Sequence, residues 1–535
     1  MDSCLVRGAT VVDGSGDEPF RADVAIVDGR IAEVAPTIGA SGERVIDADG
    51  LVLAPGFIDI HSHTDMTLFT HPGVESKAFQ GVTVEVIGNC GLGAFPVAAG
   101  REQELADFLR LHDFSLPPGG FSWSDFTGYA DRIDREGLGI HVAPLVGHGA
   151  LRIAAMGMDD RPPTNRERES MVRLLESALL QGAWGMSTGL IYPPGSYAVT
   201  DELVSLARTL AAHDTLYASH IRSESEGLFP ALDEAITIGR ESGVRVQVSH
   251  LKALGRSNRG KGRALLAHLA AARDSGVDIA ADQYPYEASA TTLTAVVPTW
   301  AHAGGVAALL GRLRNPELRG RLVEEIDREL AAREGAAGIM VSACRSERNR
   351  EFSGQTLAVV AAAWVCSPAE AVLRLLSEEE GAVGALFFSM AAEDVTAILA
   401  DPLVAVGSDG HGLHAAEFAA EATHPRSYGT FPRVLGKFVR DEHLLPLATA
   451  IRKMTAIPAR RLGFTDRGLV RPGYAADLVL FDPETIADRA DYAGPHRYAV
   501  GVIHLLVAGR PVIRDGVLTG ERPGRVLRKG VHHAP

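Results

Sequence analysis

The chain has 535 residues, enough to bury a large core and to hold one to three domains. Hydrophobic residues make up 46% and charged residues 22%, an ordinary globular balance, and no apolar run is long enough to span a bilayer. A formal net charge of −15 disfavours nucleic acid as the main partner, because neutralising phosphates needs a basic face.

Residues 1–7 lack the basic start and apolar stretch of a signal peptide, so a cytoplasmic enzyme is the expectation. Cys4, Cys90, Cys344 and Cys366 show neither zinc-finger nor CxxC spacing and do not form a disulfide framework. Residues 1–55 alternate short apolar runs with turns. Asp28-Gly29, between two such runs, is a hairpin signal. The chain end repeats the style at 476–481, 502–507 and 511–513. Both ends lack long helical periodicity, so 1–55 and 459–535 are expected to pack as one small β-sandwich domain around a central unit, 56–458.

That central unit has a different rhythm. An apolar run carries His61 and His63 two residues apart, which on a strand project to one side and can grip one metal ion. Met171, Leu174, Leu175, Ala178 and Leu179 share a helix face, and a short strand at 183–187 follows. Strand-like runs then end near residues 220, 250 and 282, separated by helical patterns at 231–239 and 265–272. A spacing of about 30 residues is that of one βα unit of a parallel sheet. The rhythm breaks at about 290–351, expected to be an insertion lying over the active site as a lid. It resumes with a helix at 395–399 and a strand at 403–409. Cys90, His220, His250 and Asp409 each stand at or just past the end of an apolar run. Reactive groups on at least five strand ends favour an α/β fold of the TIM-like (β/α)8 barrel type, whose strand ends meet at one mouth. A doubly wound sheet would gather them at one switch point.

A lone histidine at a strand end is more often structural than a ligand. His112, His268, His302, His443, His532 and His533 take that bland reading. The combination is different: His61 and His63 share a side, and His220 and His250 end consecutive units and are therefore neighbours. Cys366 reads as a small buried hydrophobe, the usual state of a free cysteine. Cys90 lies instead in the turn Gly88-Asn89-Cys90-Gly91, just past a strand. A thiolate with two imidazoles makes a good zinc set and leaves a fourth position for water. On the residues alone, Arg426 serves equally as a carboxylate clamp or a surface salt bridge. Tyr284 and Tyr286 serve equally as packing beside Pro285. Lys252 shares the side of His250 only if that strand continues.

Gly88-Asn89-Cys90-Gly91, Ser219-His220-Ile221-Arg222, Ser249-His250-Leu251-Lys252, Asp282-Gln283-Tyr284-Pro285-Tyr286 and the run from His424 to Arg433 together carry a family likeness. With the His61/His63 pair, the chain resembles the amidohydrolase superfamily, and within it the N-acyl-D-amino-acid deacylases (D-aminoacylases). The resemblance implies zinc, held tightly by Cys90, His220 and His250, with a second, weaker site at His61 and His63 that Cys90 and Asp409 adjoin. It implies Asp409 as the catalytic general base and acid. It implies Lys252, Tyr284, Ser289 and Arg426 as contacts to the α-carboxylate of an N-acyl amino acid substrate. The stretch between Asp409 and Arg426 is alanine-rich and longer than the common form. Barrel hydrolases that bridge two metals with a carbamylated lysine carry it before the first single histidine. No lysine lies between Lys77 and Lys252, and Cys90 is the natural substitute. Two other functions compete. A cyclic amidase of the hydantoinase or dihydroorotase kind, or another acyl-amine amidohydrolase, is opposed by the missing lysine. A catalytically silent barrel is opposed by the full ligand set with Asp409.

Overall fold

The structure, a computed structural model, describes residues 3–39, 44–112, 114–419 and 421–530. His532 and His533 lie outside the described residues. Eight parallel strands carry the site: β1 (Phe57–Asp59), β2 (Val82–Ile87), β3 (His141–Pro144, continued by Val146–Gly147), β4 (Gly185–Gly189), β5 (Leu216–His220), β6 (Arg245–Val248), β7 (Ile279–Gln283) and β8 (Val404–Val406). β1 to β3 pair in order, and so do β3 to β8. Just past the strands, Asp409 N donates to His61 O at 2.7 Å and His63 N to Gly410 O at 3.0 Å. These bonds join β8 to β1 and close the ring, giving the (β/α)8 architecture.

The strands are buried on both faces, which is why they read as continuous apolar runs. Helices at Asn165–Gln181, Thr200–Ala212, Leu228–Ser242 and Gly262–Asp274 alternate with them. The first starts at a capping box of Thr164 and Glu167 and stops at Gly182, whose φ is 114°. It buries Met171, Leu175, Ala178 and Leu179; Leu174, expected on that face, is only half-buried.

Beneath the mouth, Lys77 Nζ donates to Asp59 Oδ2 at 2.8 Å and Ser408 Oγ at 2.6 Å, and lies 3.0 Å from Glu85. This fully buried cluster ties β1, β2 and the end of β8 together. Removing one partner of such a pair costs about 3–5 kcal/mol, because the other charge is left uncompensated.

Strands from both chain ends form one nine-stranded sheet. Val52–Pro55 pairs antiparallel with Leu478–Phe481, joining the two ends. Alternation decides what each face meets. Leu478 and Leu480 pack with Val6 and Val24 in the sheet's own core, whereas Val479 and Phe481 pack into the barrel core. Each such side chain contributes roughly 1.5–3 kcal/mol on burial. Apolar burial therefore holds the sheet to the barrel. The Asp28-Gly29 hairpin forms with φ of 48° and 74° at its two turn residues.

A third sheet, antiparallel, is built from Ser289–Thr292, Val383–Phe387 and Ile339–Cys344. It has its own core, running from Leu293 to Phe387, so this layer continues well past residue 351. Its helix Pro368–Glu378 has the capping box of Ser367 and Glu370 and an apolar face, and so reads in sequence like one more barrel helix. Cys366 differs from expectation: it is half-buried, in the turn after the helix Leu357–Ala363, beside the exposed Val365.

Candidate metal centre

Five of the candidate ligands stand just past the ends of their strands and His220 is the last residue of β5; three of the six sit in a backbone conformation that L-residues rarely adopt. The φ angles of Cys90, His250 and Asp409 are 53°, 36° and 51°. Such residues cost of order 1–3 kcal/mol each and persist only where the surroundings over-determine them. At Cys90 the neighbouring glycines do this. Gly88 has φ 78°, and a Cβ there would lie 2.2 Å from Leu145 O; one on Gly91 would lie 2.8 Å from Gly189 N. The turn is thus pressed against β3 and β4, and the Cys90 thiol is aimed across the mouth.

All six expected ligands come together. The donor atoms of His61, His63, Cys90 and Asp409 lie within 4.8 Å of one another, as do those of Cys90, His220 and His250. Cys90 belongs to both groups. Its Sγ is 3.3 Å from His61 Nε2 and 3.5 Å from His250 Nε2. The His220 and His250 rings meet edge to face at 4.4 Å, as neighbouring strands require.

A layer of carboxylates orients these rings. Asp282, at the end of β7, takes His61 Nδ1 at 2.9 Å and the His250 backbone N–H at 2.8 Å. Its other oxygen accepts from Gln247 at 2.9 Å. Asp409 Oδ1 meets His63 Nε2 at 2.9 Å, and its Oδ2 accepts from Arg426 at 2.6 Å. Glu224, in the loop after β5, meets Lys252 Nζ at 2.5 Å and His250 Nδ1 at 3.1 Å.

Burial pushes the Cys90 thiol up, but the imidazoles of His61 and His250 outweigh it and hold the thiol well below its ordinary value. Burial likewise opposes the Asp409 carboxylate, yet Arg426, then His250 and His61, hold it well below the usual range. Burial pushes His63 down, and its bonds to Asp409 and Cys90 reverse this, placing it at about 9. The centre therefore favours a thiolate and a carboxylate facing imidazoles, which is a donor set for a divalent cation.

The fit to a metal has a further sign. Both ring nitrogens of His220 and Nδ1 of His63 are buried without a hydrogen-bond partner. A buried polar atom left unpaired costs about 1–3 kcal/mol, and a coordinated cation removes that cost at one nitrogen of each ring. Cys90, His220 and His250 provide one sulfur and two nitrogens, a set that suits zinc with an open fourth position.

The cluster opens into a cavity of about 110 Å³ whose wall includes Lys252, Tyr284, Ser289 and Arg426. Arg426 is buried, stacked 4.8 Å above the Tyr284 ring, so it is not a surface salt bridge. The Tyr284 hydroxyl is buried and unpartnered, and Lys252 Nζ lies 5.8 Å from the same ring. A second chamber of about 370 Å³ adjoins, sharing Tyr192, Glu224 and Arg333 with the first. His112, expected to be structural, forms part of the wall between them. Glu224, Asp282, His411 and His424 were not singled out by pattern. Asp282, a charged residue closing an apolar strand, and His424 stood in runs that carried the family likeness but had no role assigned; Glu224 and His411 carried no signal.

Residues 44–513 match the amidohydrolase family. The chain belongs to the amidohydrolase family. This amidohydrolase is 37% identical over 527 residues to an N-acyl-D-glutamate deacylase of Alcaligenes xylosoxydans xylosoxydans, covering 98% of this chain and 96% of that one. It is 36% identical to a D-aminoacylase of the same organism, covering 98% and 97%. The crystal structure of an N-acyl-D-glutamate deacylase from Bordetella bronchiseptica, complexed with zinc and a phosphonate that mimics the tetrahedral intermediate, superposes with a TM-score of 0.83. That likeness has 37% identity and covers 98% of this chain and 99% of that one.

Proposed function

We propose that this amidohydrolase is a zinc-dependent deacylase of N-acyl-D-amino acids, releasing a carboxylate and a free D-amino acid. The observation that carries the reading is the pair of donor clusters joined at Cys90, opening into a cavity walled by Arg426, Lys252, Tyr284 and Ser289. The D-configuration rests on the relatives, whose names specify D-amino acids over nearly the whole chain. The division into an end-built β domain (1–55 with 459–535) and a barrel (56–458) carrying a lid is supported by the separate apolar cores. The expected location is the cytoplasm; among the described residues no single helix is long and apolar enough to cross a membrane.

Cys90, His220 and His250 would hold one zinc tightly, and His61 and His63, with Cys90 and Asp409 beside them, a second more weakly. Zinc bound there would lower the pKa of water to about 7 and polarise a carbonyl. Asp409 accepts the proton of the attacking water at its carboxylate and delivers it to the departing amide nitrogen, which leaves as an amine. Arg426 offers a planar pair of N–H donors suited to a bidentate grip on the α-carboxylate. The Tyr284 hydroxyl, free of other partners, and the Ser289 hydroxyl donate to the same group. Lys252 adds positive charge to that wall.

Asp409→Asn tests the assignment. The variant is expected to retain the first equivalent of zinc and to lose at least about 10³-fold in kcat on N-acetyl-D-amino acids, within the range that general acid–base catalysis supplies. Zinc content by elemental analysis and release of free amine are the readouts. An active variant would remove Asp409 from the mechanism.

A further inference from the structure

We infer that Glu224 is a positioning residue of the metal centre: it decides which nitrogen of His250 faces the metal and keeps the Lys252 ammonium from reversing that choice. The inference rests on the reading of Cys90, His220 and His250 as zinc ligands. Glu224 lies four residues past His220, with its side chain 7% exposed. Its loop is tied to the one after β6 by the Leu254 N–H, which donates to Glu224 O at 2.8 Å.

His250 points Nε2 at Cys90 Sγ, 3.5 Å away, so Nε2 is the nitrogen facing the metal position. A neutral imidazole offers a lone pair at one nitrogen only if the other carries the hydrogen, and a hydrogen bond at that other nitrogen selects the arrangement. Two groups meet His250 Nδ1, and they make opposite demands. Lys252 Nζ, at 2.7 Å, is only a donor; it asks Nδ1 for a lone pair and so places the hydrogen on Nε2. Glu224 Oε1, at 3.1 Å, is only an acceptor; it asks for a hydrogen on Nδ1 and so frees Nε2 for the metal. The conflict is resolved because Glu224 also accepts from Lys252, at 2.5 Å, while the His250 carbonyl takes another Lys252 hydrogen at 3.1 Å. Glu224 thus occupies the ammonium and the imidazole together. Its second oxygen stands 3.7 Å from His220 Nε2, extending the same charge to a second ligand.

A buried Lys–Glu pair that merely fills space behaves differently. Removing only the carboxylate would then leave the Lys252 charge uncompensated and lower the stability of the fold, while the zinc affinity of the folded protein would stay near that of the wild type. Under the inference, Lys252 left alone with His250 is the damaging state, and removing it as well brings recovery. The experiment is zinc affinity, measured near neutral pH by competition with a chromogenic chelator. It is run on the wild type, Glu224→Met, Glu224→Gln, Lys252→Met and the double variant Glu224→Met/Lys252→Met.

Glu224→Met is expected to weaken zinc binding about 10- to 100-fold, the usual effect of losing such a partner. Glu224→Gln keeps an acceptor and is expected to recover most of that loss. The double variant is expected to bind zinc at least about tenfold more tightly than Glu224→Met, because the competing donor has gone. Binding by Glu224→Met within about threefold of wild type, or a double variant no better than the single, overturns the inference. If Glu224→Met does not fold, Glu224→Ala with and without Lys252→Met gives the same comparison. The assay needs no substrate, so it separates this inference from the deacylase reading. A wild type that binds no zinc would remove the metal reading and this inference with it.

Discussion

His63 shows how a single side chain sets the conditions for the second metal. Its bonds to Asp409 and Cys90 place it at about 9, so near neutrality the ring carries both hydrogens before any metal arrives. A cation that takes a nitrogen of this ring must first expel a proton. Against the cost of burial, Cys90 and Asp282 also hold His61 well above its ordinary value, so affinity at the His61/His63 position is expected to rise with pH through neutrality by at least about tenfold per unit. Titrating a second equivalent of zinc at two pH values one unit apart checks this, with His63→Asn as the control that lowers the slope by one proton. A pH-independent second affinity in the wild type would contradict it. The proposed ligands were legible because strand geometry exposes them: His61 and His63 by their spacing of two, His220 and His250 by ending successive strands. Glu224 was not legible. It lies in a polar loop, and nothing in the sequence separates it from its exposed neighbour Glu226. Its importance comes from Lys252 and His250, which the fold brings from another loop.

At the scale of elements, the turns after the strands do more for the site than the strands themselves. The Gly88–Gly91 turn forces Cys90 into a left-handed conformation and has no room for a side chain at Gly88. Gly88→Ala would set its Cβ 2.2 Å from the Leu145 carbonyl oxygen, at a φ of 78° that alanine resists. The backbone must shift, so the variant is expected to lose about 2 kcal/mol or more of stability and most of its bound zinc. Denaturant melts and metal analysis read the two effects separately. Unchanged stability with full zinc would show that the turn is not tightly fitted. The alternation of strands and helices was readable from hydrophobic period, and so were β5, β6 and β7. The extent of the inserted layer was not, because its helix Pro368–Glu378 has the same caps and apolar face as a barrel helix. Only its partners, the strands Ile339–Cys344 and Val383–Phe387, reveal which core it serves.

Across the whole molecule, the barrel ring and the inserted layer converge on one cavity, and the end-built sheet packs against the ring. The ring supplies the six donor groups. The inserted layer supplies Ser289 and Arg333 to the cavity wall, and Arg426, past β8, joins it. Among the described residues, the sheet from the two chain ends supplies none to that wall; it packs Val479 and Phe481 into the barrel core. The division of labour explains why composition alone spoke only of a large globular enzyme, while the order of motifs along the chain spoke of its chemistry. The central claim is zinc-dependent hydrolysis of N-acyl-D-amino acids. Its most direct test is turnover of paired N-acetyl-D- and N-acetyl-L-amino acids by metal-analysed enzyme, with and without a chelator. The account predicts release of free amino acid from the D series only, abolished by the chelator and restored by zinc. Equal turnover of the L series, turnover that ignores the chelator, or no turnover of either series by zinc-loaded enzyme would contradict it.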